Sequence, residues 1–133
     1  MFTRKAVQPS KISKPRGVFS AAIVVENPGK LVFLSGFTSR DENGEVVHAG
    51  DIRGQTRQVC ENLKNTVEAA GGQMKDIVSV TVFVCDVGHF KEIHEVRREY
   101  FPGAEPPAST MVQVSRLVHP DLLIEINAIA ALP

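Results

Sequence analysis

The alternation of apolar and polar positions is clearest over residues 77–84, Ile-Val-Ser-Val-Thr-Val-Phe-Val. Val78, Val80, Val82 and Val84 share one face, and Ile77, Ser79, Thr81 and Phe83 share the other. That is the period of two expected of a strand. Because both faces are largely apolar, the strand is expected to be covered on both sides. Two further runs lie near the C-terminus. Residues 110–116 set Thr110, Val112, Val114 and Arg116 against Met111, Gln113 and Ser115. Residues 122–130 set Ile124, Ile126, Ala128 and Ala130 against Leu123, Glu125, Asn127 and Ile129. Toward the N-terminus, residues 2–7 fit a short edge strand, 9–17 a loop holding Pro9 and Pro15, and 18–26 another strand. Asn27-Pro28-Gly29-Lys30 fits a type II turn, with Gly29 at positive φ. Residues 31–34 then return as a strand to form a hairpin. Asp41-Glu42-Asn43-Gly44 is a second turn.

In two segments the period changes to that of a helix. Across 51–70, Ile52, Val59, Leu63, Val67 and Ala70 recur at helical spacing. Asp51 is the expected N-cap and Gly71-Gly72 the stop. From Asp86, an inner stripe of Phe90, Ile93, Val96 and Tyr100 predicts a second helix, ended by Pro102-Gly103. Lys91, Glu92, Glu95, Arg97, Arg98 and Glu99 are expected to point largely outward. The order is β-β-β-α-β-α-β-β, an α+β fold whose two helices cover one face of the sheet. Thr81, Phe83, Met111, Leu123 and Ile129 or their alternates would line the other face, which is too apolar to stay wet. A second copy of the chain is the expected cover, with any cleft lying between subunits of a homo-oligomer.

Composition narrows the function classes. With 133 residues, one domain spanning 1–133 is expected. Fifteen basic residues balance fifteen acidic ones, so no basic footprint for nucleic acid is visible. No apolar run approaches the roughly 18 residues of a membrane span. Met1 to Ser13 lacks the apolar core of a signal peptide. Cys60 and Cys85 on expected core faces suit a reducing cytoplasm better than a disulfide framework. His48, His89, His94 and His119 are scattered, and no metal site or cofactor motif is read.

One carboxylate stands out. Glu125 sits among apolar residues in a predicted strand, where an acid costs free energy unless it is paired or lines a polar cleft. It is either a rim carboxylate or a site acid.

Several segments together resemble the RidA family, also called YjgF or L-PSP. They are Gly17-Val18-Phe19-Ser20-Ala21-Ala22, Leu34-Ser35-Gly36, the helix from Cys60 to Gly72, Val80 to Asp86, Tyr100-Phe101-Pro102, and Ile124 to Ala130. The resemblance implies a chorismate-mutase-like fold, a homotrimer with clefts between subunits, and hydrolytic deamination of small enamines or imines. By this likeness Glu125 positions the attacking water and Gly36 is the loop glycine that lets backbone approach the cleft. Phe19 stands where a tyrosine is usual, and His94 where an asparagine is frequent. Ser109 stands where an arginine normally grips the substrate carboxylate. Serine has no charge and a single donor, so a simple amino-acid-derived substrate loses its clamp. Arg16 and Arg40 are the candidate replacement cations, with Ser109 and Thr110 as hydroxyl donors. Phe37 and Met111 are expected to line the cleft. A non-catalytic binding trimer is the main alternative. The ribonuclease or translation-inhibitor activity often attached to the family is disfavoured by the neutral charge.

Overall fold

The computed structural model describes residues 1–133. Strand β1 (Thr3–Val7) pairs antiparallel with β2 (Ala22–Glu26) as a separate ribbon. The main sheet has four strands: β3 (Lys30–Phe37), β6 (Ile124–Leu132), β4 (Ile77–Val84) and β5 (Ala108–Gln113), in that spatial order. Only β4 and β5 run parallel, which requires the crossover through helix α2 (Phe90–Tyr100). Helix α1 (Ile52–Ala69) lies between β3 and β4 in sequence. The element order and α+β class match the sequence expectation.

Local chemistry sets the helix ends. Asp51 accepts a hydrogen bond from the Gly54 amide, as an N-cap should. Gly71 takes φ +94°, a left-handed conformation that ends α1. Both helices pack on one side of the sheet. Val59, Leu63, Val67 and Ile93 meet Val80, Val82, Ile124, Ile126, Ala128 and Ala130 in one buried cluster. Two ion pairs, Arg53–Glu95 and Arg57–Glu99, tie α1 to α2 at the surface.

The structure corrects several sequence expectations. β2 and β3 do not form a hairpin; β2 pairs with β1, and β3 with β6. The long apolar edge of β6 outcompetes a short local return. The connecting turn is not type II, because Asn27 carries the positive φ (53°) and Gly29 does not. Residues 18–21 lie outside β2, and Asp86 caps a short 3₁₀ turn at 87–89 before α2 begins at Phe90. Phe90 is itself exposed. Arg97 does not point outward; it is 1% exposed. Met111 pairs in register with Val82 and packs on the helix-side core, so it does not line the open face.

That open face exposes large apolar side chains. Phe33 is 73% exposed, with Leu31 and Ile129 exposed beside it and Val112 exposed at the opposite edge of the sheet. Leaving this much apolar surface in water is unfavourable at roughly 25 cal/mol per Å².

Candidate functional site

Strand register sorts the site residues into two groups. Phe83 on β4 pairs with Glu125 on β6, whereas Val80 pairs with Ser109 on β5. Positions 80 and 83 are an odd number of residues apart, so they project to opposite faces. Glu125 therefore faces the open side and Ser109 the helix side.

On the open side, Glu125 is half-buried and makes no hydrogen bond or ion pair. It lines a recess with Arg116, Leu117, Val118 and Pro120. Its carboxylate lies over Gly36, where any Cβ would collide with Glu125 Oε2. Gly36 lies within a break in the β3–β6 register between Leu34 and Phe37, which brings this backbone toward the acid. Two side-chain clamps, one buried and one half-buried, hold the arrangement. Gln55, fully buried on α1, donates to the His48 and Asp121 carbonyls and accepts from the Leu123 amide at 2.8 Å. It thereby fixes how the chain enters β6, two residues before Glu125. Asn62 donates to the Thr38 and Arg40 carbonyls, each at 3.1 Å, and so steadies the loop after Gly36. Thr110, paired with Thr81, is exposed on this same side.

The helix-side group gathers Gly17, Phe19, His94, Arg97 and Ser109. Ser20 braces it: its amide donates to the Pro107 carbonyl at 3.1 Å and its hydroxyl to the Pro106 carbonyl. His94 is 7% exposed, and its ring stacks on Phe90 with centroids 3.9 Å apart. His94 Nδ1 lies 3.0 Å from the Phe90 carbonyl, which can only accept. Nδ1 therefore carries the proton in the neutral ring, leaving Nε2 an acceptor directed at Gly17. Burial, reinforced by the neighbouring Arg97 cation, holds the His94 pKa below the ordinary imidazole value. Arg97 Nη2 donates to Ser109 Oγ at 2.9 Å and to the Val18 carbonyl at 3.2 Å.

The proposed replacement cations lie elsewhere. Arg40 Nη1 donates to the Gly44 carbonyl within its own turn. Arg16 is exposed and makes no hydrogen bond or ion pair. Phe37 pairs with Ile126 and packs on the core. Cys60 is buried and Cys85 half-buried, and both are free thiols. No cluster of three or more His, Cys, Asp or Glu residues gathers to hold a metal, and no helix is long and apolar enough to cross a membrane.

Arg97 is the functional candidate that reading the sequence missed. Its signal was helical position: Arg97 lies four residues after Ile93 and three before Tyr100, on the buried stripe. Its charge argued it outward.

Comparison with known proteins covers almost the whole chain. The family described as Endoribonuclease L-PSP matches residues 10–132. The 3-aminoacrylate deaminase RutC of Acinetobacter baylyi is 39% identical over 127 residues, 96% of this chain and 97% of that protein. The solved structure of a conserved Rid-family protein of unknown function, YyfB from Yersinia pestis, superposes with a TM-score of 0.89 at 31% identity, covering 97% and 98% of the two chains. Escherichia coli TdcF, solved with bound serine, gives 0.72 at 32% identity, covering 97% and 99%.

Proposed function

Since the chain belongs to the L-PSP family, the RidA or Rid proteins, we propose that it is a hydrolytic deaminase of a small imine or enamine. The same reading makes it a homotrimer whose cleft is built from two copies. One observation carries the proposal. Glu125 is a half-buried carboxylate with no partner of its own, lying against Gly36, where an added Cβ would displace it. Such a group is free to orient a water.

The chemistry asks little of the protein, because imines are already electrophilic. An enamine first takes a proton on carbon to become the imine. Water held by Glu125 adds its oxygen to the C=N carbon, and its proton passes to the nitrogen. The carbinolamine then breaks its C–N bond, releasing ammonia as the hydroxyl loses its proton to form the carbonyl. Positioning dominates the rate. The A. baylyi relative is named for deaminating an aminoacrylate, and TdcF was solved with serine, a small amino acid. Both favour a small polar substrate.

The strand register supports a cleft built between copies. Glu125 and the Ser109 group leave opposite faces of one sheet. A second copy seated on the apolar open face would bring its helix-side group toward the first copy's Glu125. Phe19 and His94 would then line the cleft with Ser109, and Thr110 and Gly36 would lie on the glutamate's side, while Phe37 packs on the core behind them. Met111 sits behind Ser109 on the helix side.

The test is ammonia release from enzymatically generated imines, with Glu125→Gln as control. The wild-type protein should accelerate hydrolysis and the variant should lose about 100-fold or more. A ligand-induced thermal shift without turnover would instead make the chain a binding protein.

A further inference from the structure

The most anomalous charge in the molecule is Arg97. A fully buried arginine is normally paired with a carboxylate, because desolvating a lone cation is costly. None of the three ion pairs includes Arg97. Its Nε is buried without any hydrogen-bond partner. Cys60, whose thiolate would compensate it, is itself held protonated by burial, with its pKa pushed up to about 12. Burial brings the Arg97 pKa down to about 10, so the guanidinium remains charged at neutral pH. The fold thus maintains an uncompensated positive charge.

Its placement gives the reason. Nη2 donates to Ser109 Oγ, so the hydroxyl's own proton is free for another acceptor. Ser109 is half-buried whereas Arg97 is only 1% exposed, so this hydroxyl is the accessible end of the pair. A hydroxyl that accepts from a guanidinium is polarised into a stronger donor.

We infer that Arg97 and Ser109 form a two-residue anion anchor. Arg97 supplies the charge from helix α2, and Ser109 delivers it to a substrate carboxylate at the position where an arginine would otherwise stand. Ser109 contacts the anion; Arg97 is a positioning residue acting through it. The anchor rests on the deaminase reading for its biological substrate, which becomes a small carboxylate-bearing imine or enamine.

The experiment uses 2-oxobutanoate as the binding probe, by calorimetry, and 2-iminobutanoate generated from threonine by a dehydratase as the substrate. Arg97→Met should weaken 2-oxobutanoate binding by about 30-fold or more and raise KM far more than it lowers kcat. Arg97→Lys should retain part of the affinity. Ser109→Ala should weaken binding in the wild-type background and add little in the Arg97→Met background. Arg97→Met with Ser109→Arg should restore binding. Wild-type protein that binds no 2-oxobutanoate overturns the anchor, as does Arg97→Met or Ser109→Ala binding it unchanged. If Arg97→Met fails to fold, Ser109→Ala and Arg97→Lys decide the matter. Arg97-dependent binding without ammonia release supports the anchor and removes the deaminase reading.

Discussion

The two halves of the candidate site are built on opposite physical terms. Glu125 is a charge left available: half-buried, unpaired and pressed on a glycine. Arg97 is a charge put away: fully buried, hydrogen-bonded to a hydroxyl and a carbonyl, with no counter-ion. The first resembles a group meant to meet water. The second resembles a source of field that acts through a neighbour. A site that must both hold an anion and activate water has reason to keep these apart, since a direct salt bridge would occupy the carboxylate oxygens that the water needs.

The largest effect should come from breaking the open half. Gly36→Ala places a methyl against the Glu125 carboxylate and displaces it. We expect a fall of about 100-fold in turnover, since small misplacements of reacting groups are that costly. Thermal stability should change little. Next comes the scaffold behind it. Gln55→Leu removes three hydrogen bonds and strands the Leu123 amide with the His48 and Asp121 carbonyls. A loss of about 2–4 kcal/mol is expected from denaturant unfolding, together with reduced activity, because β6 loses its fixed entry.

The buried half should reveal itself through pH. Burial, and secondarily Arg97, hold His94 below its ordinary value of about 6.5. The unfolded chain takes up that proton more readily than the folded one. Stability is therefore fully present above the ordinary value and declines as pH falls below it, until the folded imidazole also protonates. His94→Asn should flatten this acid limb in melting curves recorded across the range. Arg97→Met should flatten it partly, by removing one cause of the shift. The smallest effect belongs to the outer helix faces. Breaking Arg57–Glu99 should alter melting only slightly, and less at high salt, because both partners are substantially exposed.

Much of the fold was legible because local period and global pairing agreed. β4 was read to its ends, since eight alternating residues admit no other regular structure. Asp51 and Gly71 marked α1 as their side-chain and backbone chemistry requires. The failures occurred where distant parts of the chain decided. Residues 27–30 carry good hairpin chemistry, yet β3 finds its partner in β6, about a hundred residues on. Glu125 was legible as an acid out of place in an apolar strand, and Gly36 as a glycine with something close by. Arg97 was not, because a charge on a helix is read outward unless its buried partner is known. That partner, Ser109, was read for the arginine it lacks, without regard to what might reach it.

The central claim is that Glu125 and the Arg97–Ser109 group meet only across two copies of the chain. Mixing subunits tests this directly. Glu125→Gln and Arg97→Met proteins, each impaired on 2-iminobutanoate, are dissociated together and allowed to reassociate. The account predicts that activity reappears, because some mixed clefts pair an intact glutamate with an intact anchor. A mixture that exchanges subunits yet is no more active than its two components would contradict it.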